Sequence, residues 1–133
     1  MIVVDTNLIT YLFVETGRTA EAEAVLKRDP MWVAPVLWRS EFRNTLATLV
    51  RRNALTLDAA SSIVAEAEGW LQGREYTVNS SIVLRLADAS RCTAYDCEFV
   101  SLAQDLGVPF VTADRQVLKA FPSLAISLSQ FVT

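Results

Sequence analysis

The sequence predicts an α/β fold in which a short parallel sheet is covered by helices on both faces. Three observations predict it. Short apolar, β-branched runs alternate with longer amphipathic ones along the whole chain, as in successive strand–helix–strand units. The strand-like runs are mostly apolar, which suits strands buried on both sides. The hydrophobic fraction of 52% is above the usual range, which points to a fully covered sheet, a subunit interface, or both.

Each element has a local cause. Ile2 to Val4 is a β-branched strand. Thr6 to Phe13 suits a short helix, and the Ala/Glu-rich run Thr19 to Arg28 a second one, stopped by Asp29-Pro30. Met31 to Ala34 forms the next strand, ended by Pro35. From Val36 to Asn53 the spacing of Phe42, Leu46, Leu49 and Val50 is helical. Asp58 to Gln72 is helical too, with Ile63, Ala67, Trp70 and Leu71 on one face and Gly73 closing it. Glu75 to Val78 is a third strand, after which Asn79 or Ser80 caps a helix to about Arg91. Thr93 caps the next helix, whose face carries Tyr95, Phe99, Leu102, Ala103 and Leu106 and which Gly107 ends. Pro109 to Thr112 is the fourth strand, Asp114 opens a short helix to Phe121, and Leu124 to Leu128 is the fifth strand.

A chain of 133 residues without repeats or linkers is expected to form one domain, residues 1–133, with a sizeable core. No apolar stretch approaches the roughly 18 residues of a membrane span. The N-terminus lacks a basic region and Asp5 interrupts it, so no signal peptide is expected and a cytoplasmic location is the default. Cys92 and Cys97, with no histidine beside them, cannot make an ordinary zinc site and are expected as small buried residues. A net charge of −3 argues mildly against non-specific nucleic-acid binding. That argument weakens if several acids are gathered at one site and neutralised by a cation.

Four acids stand where such a fold gathers a site. Ligands of open parallel sheets bind outside the carboxyl ends of the strands. Asp5 follows the first strand and Asp114 the fourth; Glu41 and Asp96 lie in the first turns of two helices. Each has an ordinary structural explanation. Asp5 and Asp114 can cap helices, Thr93 and Asp96 resemble a capping box, and Glu41 can be an acid favoured by the helix dipole. If all four converge they repel one another and call for a hard cation such as Mg²⁺ or Mn²⁺, which takes oxygen ligands and keeps several waters. Thr6, Asn7 and Thr112 add hydroxyl or amide groups beside these acids, although local backbone capping explains them equally well. With no histidine in the chain, histidine-based ribonuclease and Ser-His-Asp mechanisms are excluded.

The stretches Val3-Val4-Asp5-Thr6-Asn7, Trp38 to Asn44 around Glu41, Tyr95 to Ala103 around Asp96, and Val111-Thr112-Ala113-Asp114 together resemble the PIN-domain family. The resemblance is to the VapC-type toxin ribonucleases of toxin–antitoxin pairs in particular, and it covers essentially the whole chain. It implies a PIN-like three-layer α/β/α sandwich with a short five-stranded parallel sheet. It also implies a Mg²⁺- or Mn²⁺-dependent endoribonuclease cleaving RNA with metal-activated water. Carried over, Asp5, Glu41, Asp96 and Asp114 become the acidic, metal-holding catalytic site, with Thr6, Asn7 and Thr112 in support. Cys97 stands where such proteins often have alanine. A cognate VapB-like antitoxin that covers the groove and a homodimer are implied as well.

RNA also needs cations for its phosphates. Arg39 and Arg43, four apart on one helix, and Arg115, next to Asp114, are the candidates, though a charged helix face is more often simply solvated. Two rival functions remain open: a non-catalytic PIN-like module binding RNA or protein, and another metal-dependent phosphohydrolase such as a phosphatase or DNA nuclease.

Overall fold

The computed structural model describes all residues 1–133. The elements run β1 (Ile2–Val4), α1 (Thr6–Phe13), α2 (Thr19–Arg28), β2 (Trp32–Pro35), α3 (Trp38–Arg51), α4 (Leu57–Leu71), β3 (Glu75–Tyr76), α5 (Ser80–Ser90), α6 (Ala94–Leu106), β4 (Phe110–Val111), α7 (Arg115–Ala120), β5 (Ala125–Ile126) and α8 (Leu128–Val132). All five strands are parallel, in the order β3-β2-β1-β4-β5. This is the expected α/β class with its short five-stranded sheet.

The order of strands dictates the layers. Right-handed crossovers from β1 to β2 and from β2 to β3 put α1 to α4 on one face. The return from β3 to β4, and then to β5, puts α5, α6 and α7 on the other. The α6 helix accordingly lies against β1, β2 and β4, while α8 comes back to pack on α2. The chain leaves β1 in one direction and β4 in the other, so the topological switch point lies between these two neighbours.

Burial explains the composition. Ile2, Val3 and Val4 are buried on both sides, and Trp32, Trp38, Phe42, Phe110 and Leu102 fill the two interlayer cores. Of the three tryptophans, Trp32 and Trp38 are wholly buried, and Trp70 stacks edge-on against both Trp32 and Phe13 with centroids 5.5 Å apart. The core therefore accounts for the tryptophans. Cys92 and Cys97 are buried with free thiols. No helix is long and apolar enough to cross a membrane.

Several boundaries shift by a residue or two from those expected from sequence, and four of the shifts are instructive. A turn after Pro35 delays α3 to Trp38, so Val36 and Leu37 lie outside it. Thr56 rather than a later residue caps α4 by accepting from the Ala59 N–H. β3 pairs over only two residues, at the edge of the sheet. The last strand stops at Ile126 because Ser127 accepts from the Gln130 N–H and starts α8, which the sequence reading had not separated from the strand.

One ionic cluster anchors α3. Arg39 grips Glu75 with two bonds, Nε–Oε2 at 2.6 Å and Nη2–Oε1 at 2.8 Å, and reaches Glu68 of α4 at 3.1 Å. Trp38 Nε1 donates to the same Glu75 oxygen at 2.7 Å. The start of α3 is thus tied to the edge strand and to α4. The Arg39 guanidinium holds the Glu75 carboxyl below the usual carboxylate range.

Glu75→Ala should lower stability to urea by about 2 kcal/mol near neutral pH, since it strips the acceptor from a half-buried arginine and a buried indole. A depressed carboxyl pKa stabilises above the unfolded value and loses that contribution as pH falls through the folded one. The gap between wild type and variant should therefore close in acid, which urea melts across that range would measure.

Candidate active site

β1 delivers Asp5 to the switch point. The Asp5 N–H continues the ladder by donating to Val111 O at 3.4 Å, which sets its side chain beside Thr112 and Ala113. Asp5 Oδ1 accepts from the Leu8 N–H at 3.0 Å and so caps α1. Its Oδ2 accepts from the Thr112 hydroxyl at 2.5 Å and from the Ala113 N–H at 3.2 Å. Thr112 Oγ1 accepts in turn from the Asp114 N–H at 3.0 Å. Asp114 Oδ1 then caps α7 through the Val117 N–H at 3.0 Å.

The remaining two acids arrive on helix starts. Glu41 lies in the first turn of α3 and accepts from the Thr6 hydroxyl at 2.6 Å. Asp96 sits in the first turn of α6, in a capping box: Asp96 N–H donates to Thr93 Oγ1 at 3.0 Å and Thr93 N–H to Asp96 Oδ2 at 3.4 Å. The ordinary structural explanations for Asp5, Asp96 and Asp114 are therefore correct. They are also insufficient, because all four acids line one cavity of about 270 Å³. Oδ1 of Asp96, Oδ2 of Asp114 and Oε2 of Glu41 have no partner in the protein.

Charge accumulates there. Burial pushes the Asp5 carboxyl up, against its three hydrogen bonds, and the Asp114 charge adds to the push. Burial also raises Glu41, helped by the charges of Asp96, Asp5 and Glu98. No lysine or arginine lines the cavity to offset them.

The acids do not form a tight cluster. No three of the chain's carboxylates and thiols are placed to hold an ion directly, so the expectation that all four would close within a few ångströms of one cation is corrected. The reason is local: caps and cross-strand bonds fix each carboxylate on its own element, around the cavity. The donor set still fits Mg²⁺ or Mn²⁺. It consists of hard oxygens, and such ions need only one or two carboxylates while keeping much of their water.

Thr6, Asn7 and Thr112 line the same cavity. The three arginines do not. Arg39, placed from sequence as a phosphate contact, is instead committed to Glu75 and Glu68, because its side of α3 faces β3 and α4. Arg43 pairs more loosely with Glu68 at 3.4 Å and stays exposed, as does Arg115. Glu98 does not line the acidic cavity with Asp96; it lines a separate, largely apolar one with Val36, Tyr76 and Leu84. Asn44 and Thr45 were missed in the sequence. They line the acidic cavity at three and four residues after Glu41, a helical spacing that could have flagged them.

The chain and its fold have known counterparts. A family model described as PIN domain matches residues 2–122. The chain is 30% identical over 126 residues to Ribonuclease VapC3 of Pyrobaculum aerophilum, covering 92% of this chain and 96% of that protein. The fold is similar to the crystal structure of PAE2754 from Pyrobaculum aerophilum, with a TM-score of 0.77 at 22% identity, covering 98% of this chain and 92% of that one. With four carboxylates gathered at its switch point and a family match over nearly its whole length, the chain belongs to the PIN-domain family.

Proposed function

We propose that this chain is a Mg²⁺- or Mn²⁺-dependent endoribonuclease, the cytoplasmic toxin of a VapBC-type toxin–antitoxin pair, working as one domain over residues 1–133. The observation that carries this reading is the cavity at the switch point, with four carboxylates, unpartnered oxygens on three of them and no lining cation. The curated relative supports RNA as the substrate, being itself named a ribonuclease.

The residues divide the work as follows. Asp5, Asp96 and Asp114 would hold the ion, in part through its waters. When bound, the ion supplies an activated water and neutralises charge on the phosphoryl group under attack. Glu41 either adds a ligand or orients the attacking water, and the Thr6 hydroxyl holds it in place. Thr112 fixes Asp5 in the same way. Exposed Arg115 is the arginine best placed by sequence to meet a phosphate outside the cavity. A VapB-like antitoxin would silence the site by laying a basic side chain among these acids.

A homodimer is part of the same proposal. Val36, Ile82, Leu84 and Tyr95 are large apolar side chains left exposed, and Val36 and Leu84 line one largely apolar cavity. That concentration supports a self-association surface on this side.

Cleavage of single-stranded RNA should require added Mg²⁺ or Mn²⁺ and should be lost in Asp5→Asn, Asp96→Asn and Asp114→Asn. Thr6→Val should cost roughly 10- to 100-fold, the range for a residue supporting a ligand. Activity in Asp5→Asn equal to wild type would defeat the assignment, and equal cleavage of DNA or phosphate monoesters would shift the reading to a broader phosphohydrolase.

Sedimentation at micromolar concentration should show a dimer for wild type and a shift to monomer for Leu84→Glu, which places a charge in the apolar contact. Wild type sedimenting as a monomer alone and with its co-expressed neighbour would remove the dimer from the proposal.

A further inference from the structure

We infer that Asn7 and Asn44 bind the phosphodiester of the substrate, supplying the side-chain N–H donors that the acidic cavity otherwise lacks; this rests on the ribonuclease reading above. An ionised phosphodiester presents only acceptor oxygens, so beyond charge neutralisation it needs N–H or O–H groups directed at it. The four carboxylates are acceptors and repel it, and no lysine or arginine lines the cavity.

The hydroxyls are already spent. A hydroxyl has one proton to give. That of Thr6 goes to Glu41, that of Thr112 to Asp5, and that of Thr45 to the main-chain oxygen of Glu41 at 3.1 Å. Asn7 and Asn44 remain the only lining side chains with N–H donors. Both are exposed, and neither amide makes a hydrogen bond within the protein.

Their placement suits a two-sided grip. Asn7 is the second residue of α1, two after Asp5, and Asn44 lies one turn beyond Glu41 on α3. These two helices pack against each other, so one amide comes from each wall. The residue type also makes sense physically. A lysine or arginine at either position would pair with the carboxylates and compete with the cation for them. A neutral amide offers two donors and leaves the acids free.

The test uses the full-length chain with Mn²⁺, a fluorescent single-stranded RNA and a DNA of the same sequence. Asn7→Ala and Asn44→Ala should each raise KM for the RNA, and weaken binding by anisotropy, roughly ten-fold. Because the contact is to phosphate, affinity for the DNA should fall in the same proportion. Asn44→Asp, which swaps a donor for a like charge in the same shape, should be worse than Asn44→Ala, and Asn44→Gln should recover part of the loss. Thermal midpoints and Mn²⁺ affinity should stay at wild-type values in the alanine variants.

Unchanged KM and binding in both alanine variants would overturn the proposal. So would a loss confined to Mn²⁺ affinity, or one confined to RNA, since these would assign the amides to the ion's waters or to the ribose hydroxyl. The binding arm decides even if wild type does not cleave. A wild type that binds both strands without cutting would fail the ribonuclease reading, and the alanine variants would still support or overturn the grip.

Discussion

The carboxylate of Asp5 ties the start of the chain, where β1 passes into α1, to the distant end of β4. It closes the first turn of α1 through Leu8, and it holds the end of β4 through Thr112 and Ala113, 107 and 108 residues away. Three donors converge on one buried acid, so its hydrogen bonds offset much of the cost of burying it. The acid then sets the geometry of everything around it. Thr112, once bound to Asp5, receives the Asp114 N–H, and Asp114 opens α7. A helix start and a strand end are locked at the switch point by one side chain.

That arrangement dissolves the choice between capping and chemistry. A cap needs only one carboxylate oxygen to meet an N–H. Asp96 and Asp114 each use one oxygen in this way and retain another without a partner. Capping thus serves the site. It orients the acid on a rigid helix start and leaves one oxygen without a partner in the protein. The charge penalty shows in the raised carboxyls of Asp5 and Glu41, where burial and like charges act together. Such a penalty is relieved by a bound cation, and the PIN-domain family match places this design among relatives that include a named ribonuclease.

The opposite face of α3 shows how the same helix serves stability. Glu41, Asn44 and Thr45 face the cavity, whereas Arg39 faces Glu75 and Glu68. The bidentate Arg39–Glu75 pair and the Trp38 indole hold the helix start against the edge strand β3, two residues from Glu41. This partly buried pair is the kind that keeps its geometry, unlike the loose Arg43–Glu68 contact at 3.4 Å. Arg39, the cation nearest Glu41 in sequence, is therefore consumed by structure, and no cation lines the cavity.

Local chemistry explains what could be read from residues alone. Apolar runs, caps at Asn79, Thr93 and Asp114, and the stop at Gly107 depend on neighbours within a turn or two, so the elements and the parallel sheet were legible. The identity of the four acids was legible too, since each follows a strand or opens a helix. The boundary at Ser127 escaped because a single serine cap after a short apolar run does not interrupt hydrophobic pattern enough to separate strand from helix. Only the tertiary structure decided which of these groups meet. The pairing of β1 with β4 brought Asp5 to Thr112, the packing of α1 on α3 brought Thr6 to Glu41, and the packing of α3 on β3 took Arg39 away from the site. Those outcomes rest on contacts across 35 to 108 residues of chain, where no local signal reaches.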